Sequence, residues 1–207
     1  MLRVGAAVSI TRLLRYVKQE QLSGVEFLGG VPGTVGGAVS MNAGTVMGEV
    51  SDSLLRVRVV TPEGSADWMD ASDLRLSYRH SELPPQSVVV EAEFACRPAN
   101  TETFEKLERV LRYRKETQPL RLPSCGSVFA NPPGDHAGRL IEACGLKGER
   151  VGGAQVSEKH ANWIVNIDKA TANDISSLME LCVAKVEAKF GVQLRHEVQF
   201  LGDWNEA

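Results

Sequence analysis

Apolar residues along the chain recur with two periods, and the changes between them mark out the expected elements. Ile10, Leu13, Leu14 and Val17 return at helical spacing, which predicts a helix over Ser9–Leu22 with Ser9 as N-cap and Gly24 as stop. Leu55, Val57 and Val59 alternate in a strand closed by the turn Pro62-Glu63-Gly64. Val88, Val90, Ala92 and Phe94 alternate in a second strand. The pattern breaks at Arg97–Asn100, where a domain boundary is placed, giving domains 1–98 and 99–207. A helix then spans Thr101–Thr117, with Phe104, Leu107, Val110 and Leu111 as its buried stripe.

Beyond an irregular segment, LPSCGSVFANPPGD, a short helix is expected near His136–Cys144 and a strand at Trp163–Ile167. The clearest helix covers Thr171–Phe190, with Ile175, Leu178, Met179, Cys182, Val186 and Phe190 on one face and Gly191 after it. Val192, Leu194, Val198 and Phe200 mark a last strand, and Leu2–Val8 would supply a first one. Helices mixed with strands joined by short turns predict an α+β fold rather than a doubly wound sheet.

Composition narrows the function classes. A formal net charge of -3 gives no global attraction to nucleic acid, so any anion site must be a local cluster. No stretch reaches the length of a membrane span, Arg12, Arg15 and Lys18 interrupt the apolar opening, and a cytoplasmic location is expected. Cys96, Cys125, Cys144 and Cys182 form no paired motif, and the four histidines lack ligand spacing, so reduced thiols and no metal site are expected.

Five constellations could carry chemistry. Gly29 to Ala38, GGVPGTVGGA, is glycine-rich but anchored by apolar residues. It suits either an anion-binding concavity of backbone N–H groups or tight turns packed on a sheet. Ser77-Tyr78-Arg79-His80-Ser81 is a polar segment whose simplest reading is surface. In PSCGSVFANP, Ser127 and Cys125 are equal by spacing, and a plain buried loop stands beside both. Arg109, Arg112, Arg114, Lys115 and Arg121 form a basic series that could grip a diphosphate or be a solvated face balanced by Glu105, Glu108 and Glu116. Glu197 lies in the last expected strand, where a lone glutamate is usually the wet face of a sheet.

Taken in order, GVEFLGGVPGTVGGAVSMNAG, SYRHS, PSCGSVFANPPGDHAGRLIEACGLKGERVGGAQVSEKHANWIVN and LRHEVQFLG closely resemble the UDP-N-acetylenolpyruvoylglucosamine reductases. The resemblance covers Val4–Gly202 and is nearest to the shorter type with a compact substrate domain. It implies the C-terminal half of a flavin-binding α+β domain followed by a smaller α+β substrate-binding domain. Family members carry a further flavin-binding segment before the point where this chain begins, so such an N-terminal segment is an expected partner.

The implied reaction uses FAD and NADPH to reduce UDP-N-acetylglucosamine enolpyruvate to UDP-N-acetylmuramate in peptidoglycan precursor synthesis. By the same resemblance, Ser127 is the proton donor, and Arg79 and Glu197 polarise the substrate carboxylate. Pro32, Gly33, Gly36, Gly37 and Asn42 belong to the flavin loop, and Arg112, Lys115, Asn131 and Lys159 hold the UDP-sugar. The alternative is a truncated, non-catalytic remnant that keeps only UDP-sugar binding.

Overall fold

A computed structural model describes residues 1–202, which divide into two compact units, Met1–Arg114 and Lys115 onward. The first unit begins with strand β1 (Leu2–Gly5), helix α1 (Ile10–Gln19) and the short strand β2 (Leu22–Ser23). Helix α2 (Val35–Ser40) and the hairpin β3 (Gly44–Thr45) and β4 (Gly48–Glu49) follow. Strands β5 (Leu54–Val60), β6 (Ala66–Asp70) and β7 (Val88–Phe94) complete an antiparallel sheet of order β1-β7-β5-β6. Strand β8 (Arg97–Pro98) pairs with β2, and helix α3 (Thr101–Thr117) runs on across the boundary between the units.

Helix α1 starts where the sequence places it, because Ser9 Oγ accepts the free N–H of Arg12 at 3.3 Å. It ends before Gly24. Gln21 turns the chain at φ 51°, and Leu22–Ser23 leave to pair with Arg97–Pro98. Ile10, Leu13 and Val17 join Phe27, Leu28, Val57, Val59, Ala92 and Phe94 in one core.

The expected alternation in β7 holds at Ala92 and Phe94 but is out of phase at the start, where Val88 is 62% exposed and Val89 is buried. Pairing with β5 shifts between Arg58 and Val59, and a shift of one residue exchanges the two faces of a strand. A second irregularity between Leu54 and Arg56 buries Leu54 and exposes Leu55. The other face of this sheet buries Glu93, 1% exposed, between Arg3 and Arg56, each 2.7 Å away. The Arg56 hydrogen bond, then that from Arg3, holds the Glu93 carboxyl below the usual carboxylate range, against desolvation.

The second unit contains β9 (Ser124–Ser127), α4 (Ala137–Ala143), β10 (Arg150–Val151), β11 (Ala154–Val156), β12 (Trp163–Asn166) and α5 (Ala172–Phe190). Its sheet is antiparallel, in the order β10-β11-β12-β9. Helix α5 follows its sequence signals. Thr171 and Asp174 form a reciprocal capping box, and Gly191 closes the helix at φ 66°. Leu178, Met179, Cys182 and Val186 bury one stripe against Leu140, Ile141, Val156 and Ile164, whereas Phe190 is 36% exposed.

The last expected strand is not one. Residues 192–200 run extended with a single bridge between Phe129 and His196, flanked by Ala130 N to Arg195 O and Glu197 N to Val128 O. Those few pairings are too short for a ladder.

Candidate functional site

In the first unit the glycine-rich segment is built onto the loop between β1 and α1. Ile10 N donates to Gly33 O, Val35 N to Val8 O and Gly36 N to Ala6 O, at 3.0, 2.9 and 2.9 Å. The end of the glycine-rich segment is helix α2, because Thr34 caps it through Gly37 N and Val35, Ala38 and Val39 face the core. The glycines divide by role. Gly36 is buried, and a Cβ there would stand 2.9 Å from the Ala6 methyl, so it is a packing glycine. Gly33 has φ 105° and open space where a Cβ would project, and Pro32, Gly33 and Gly37 are exposed. Backbone at this point is accessible to a ligand.

Against Gly30 lies the Arg114 side chain, its Nε 2.7 Å from where a Cβ would be. That Nε is buried and has no hydrogen-bond partner among the described residues, and burial lowers the guanidinium's pKa. A buried donor without an acceptor is costly unless an anion completes it. An open glycine turn with an uncompleted arginine donor along the same segment fits a diphosphate-bearing cofactor such as FAD.

The end of the glycine segment meets SYRHS. Ser77 and His80 exchange backbone hydrogen bonds at 3.0 Å, with Arg79 between them at φ 57°. Three bonds fix this turn: Asn42 Nδ2 donates to Ser77 O at 2.9 Å, Ser81 Oγ to Ser40 O at 2.7 Å, and Arg79 Nη2 to Gly44 O at 3.2 Å. The Arg79 guanidinium lies 4.8 Å from the centre of the Tyr78 ring. Two motifs 35 residues apart are thus one construction.

In the second unit Ser127 ends β9 opposite Trp163, follows Gly126 at φ 88°, and is exposed. Glu197 is half-buried, and its N–H donates to Val128 O at 2.8 Å, so its backbone is joined to the residue after Ser127. Asn162, buried, brackets Phe129: its Oδ1 accepts from Phe129 N and its Nδ2 donates to Phe129 O, at 2.9 and 2.7 Å. Asn162 escaped the sequence reading, although a polar residue between Ala161 and the apolar strand Trp163–Val165 was a signal available for it.

The expected sugar-nucleotide ligands scatter more. Asn131 is exposed, and its Oδ1 accepts from Ala137 N at 3.1 Å, capping α4. Lys159 Nζ donates to Lys115 O at 2.7 Å. Lys115, Arg121 and Lys159, with Gln118, Gln155 and Ser157, line one groove of about 490 Å³. Three cations there face the single carboxylate Glu158. Arg112 lies in the first unit, exposed on α3.

Residues 118–201 match the family description "UDP-N-acetylenolpyruvoylglucosamine reductase, C-terminal domain", and residues 1–69 match "FAD binding domain". The UDP-N-acetylenolpyruvoylglucosamine reductase of Myxococcus xanthus is 50% identical over 204 residues, 98% of this chain and 66% of the relative. That of Streptococcus pyogenes serotype M12 is 41% identical over 98% of this chain and 69% of its own length. The chain thus spans about two-thirds of the length of these relatives. The crystal structure of UDP-N-acetylenolpyruvylglucosamine reductase from Thermus caldophilus superposes with a TM-score of 0.85 at 39% identity, over 95% of this chain and 71% of that one. With the glycine segment, the Arg79 turn and the Ser127 strand in place, the chain belongs to the UDP-N-acetylenolpyruvoylglucosamine reductase family.

Proposed function

We propose that this chain serves the FAD- and NADPH-dependent reduction of UDP-N-acetylglucosamine enolpyruvate to UDP-N-acetylmuramate, a step of peptidoglycan precursor synthesis. The observation that carries the reading is the bond from Glu197 N–H to the carbonyl of Val128, the residue after Ser127, inside the segment matched by the family's C-terminal domain. Flavin reduced by NADPH supplies hydride for the methylene carbon of the enolpyruvyl ether.

The chain's own residues do the rest. Ser127 delivers a proton to the carbon next to the carboxylate, its hydroxyl presented by the extended backbone after Gly126. Arg79 and Glu197 polarise the substrate carboxylate and stabilise the intermediate formed there. Gly33, Gly37 and Pro32 offer accessible backbone to the cofactor diphosphate, while Gly36 shapes the turn from behind and Arg114 supplies a donor. Lys115 and Lys159 attract the substrate diphosphate to their groove, and Arg112 and Asn131 are further ligands of the UDP-sugar. Domains 1–98 and 99–207 would then hold flavin and substrate respectively.

The test is NADPH oxidation by the purified chain supplied with FAD, with and without the enolpyruvyl sugar, alongside calorimetric titration with that sugar. The reading expects oxidation that depends on the sugar and yields one product per NADPH. Sugar binding without oxidation would identify the non-catalytic UDP-sugar-binding remnant instead. Neither binding nor oxidation would defeat both.

A further inference from the structure

We infer that Asn42 is a positioning residue for Arg79, acting through the turn that carries it rather than as a ligand of the cofactor. Asn42 is completely buried, and its amide is spent on both sides within the protein. Nδ2 donates to Ser77 O at 2.9 Å, and Oδ1 accepts from Ser51 N at 2.9 Å. One side chain therefore ties three segments: the end of α2, the turn after β4, and the Ser77–His80 turn.

The choice of asparagine follows from the backbone. Position 42 has φ 43°, in the left-handed region that asparagine and aspartate tolerate better than other side-chain-bearing residues. The position also needs a donor and an acceptor on one short planar group, which aspartate in its charged form cannot provide.

What the tie controls is the placement of Arg79. Ser77 and His80 close the turn through their own backbone, leaving Arg79 at φ 57°, a conformation a free arginine seldom adopts. The other two ties, Ser81 to Ser40 O and Arg79 to Gly44 O, reach the same short stretch around Asn42. Of the three, only the Asn42 bond involves a wholly buried side chain. The guanidinium is thus aimed by a residue that never meets substrate. The inference rests on the proposed role of Arg79.

Asn42→Asp is the discriminating variant, because it keeps the shape, the left-handed tolerance and the acceptor for Ser51 N. It replaces the donor to Ser77 O by a carboxylate oxygen at a buried position. Hydrogen exchange followed by mass spectrometry on the full chain needs neither cofactor nor turnover. At neutral pH, amides of residues 77–82 are expected to exchange about tenfold faster or more in Asn42→Asp. Strand β5 and helix α5 should keep their wild-type rates. Unchanged exchange at 77–82, or an increase spread over the whole first unit or the whole chain, would overturn the inference; Asn42 would then be idle or a general structural residue.

Turnover separates this from the functional reading. In a double-mutant cycle, Asn42→Asp should reduce turnover in the wild-type background and add nothing to Arg79→Ala. Full turnover in Arg79→Ala would remove the proposed role of Arg79, while the exchange data would still decide what holds its turn. Additive losses would show that Asn42 acts by another route.

Discussion

Ser127 has a neutral hydroxyl, a weak acid by itself, so its proposed use as proton donor depends on where the backbone sets it. Gly126 at φ 88° and the pairing to Trp163 leave that hydroxyl exposed at the end of β9. The neighbouring Cys125, equal to it by spacing in the sequence, is exposed too. What separates them is pairing: Ser127 sits opposite Trp163 at the end of β9 and precedes Val128, whose carbonyl accepts from Glu197 N. Ser127→Ala is therefore expected to leave reduction of bound flavin by NADPH intact and to slow turnover of the enolpyruvyl sugar by about a hundredfold or more. Stopped-flow measurement of each half-reaction checks it, and equal losses in both would remove Ser127 from the protonation step. Single residues were the least legible scale in the sequence. Asn42 was grouped with the flavin loop by motif, and nothing in its neighbours announced that its amide bonds Ser51 and Ser77. Long-range pairings of this kind leave no periodic trace.

At the scale of elements, caps and periodicity carried the helices. Ser9 opens α1, Thr171 with Asp174 opens α5, Gly191 ends it, and α3 occupies Thr101–Thr117, although of its expected stripe only Leu107 is buried and Leu111 is exposed. Strands were legible in position but not in phase. Two register shifts between β5 and β7 turned Val88 and Leu55 outward, and alternation alone cannot reveal a bulge. Helix α2 was hidden because glycine disfavours helix, yet Thr34 caps it and three apolar residues bury it. Thr171→Ala removes an acceptor for Asp174 N, and the expected loss is about 1 kcal/mol. Urea unfolding should show it as a lower midpoint with an unchanged slope, and Thr171→Ser should restore most of it. No change would mean that the cap carries no stability at this terminus.

For the molecule as a whole, α+β architecture and the family were readable from four ordered motifs, and the structure adds what each motif is for. The glycine segment gives accessible backbone at Gly33 and an uncompleted Arg114 donor. SYRHS is a turn stapled to Asn42, and the Ser127 strand is joined through Val128 to Glu197. The groove of Lys115, Arg121 and Lys159 gives the second unit a local positive site in a chain of net charge -3. The break in pattern at Arg97–Asn100 and the division of compact units after Arg114 differ by the length of most of α3, whose periodicity does not reveal which core it serves. The role proposed for these parts is to hold a flavin that passes electrons from NADPH to an enolpyruvyl sugar. Its most direct test is the visible absorption of FAD titrated with the chain under anaerobic conditions, followed by NADPH and then the sugar. The account predicts a saturable shift of the flavin bands, bleaching by NADPH, and return of the bands when the enolpyruvyl sugar is added. A free-FAD spectrum at every protein concentration, or bands that stay bleached after the sugar, would contradict it.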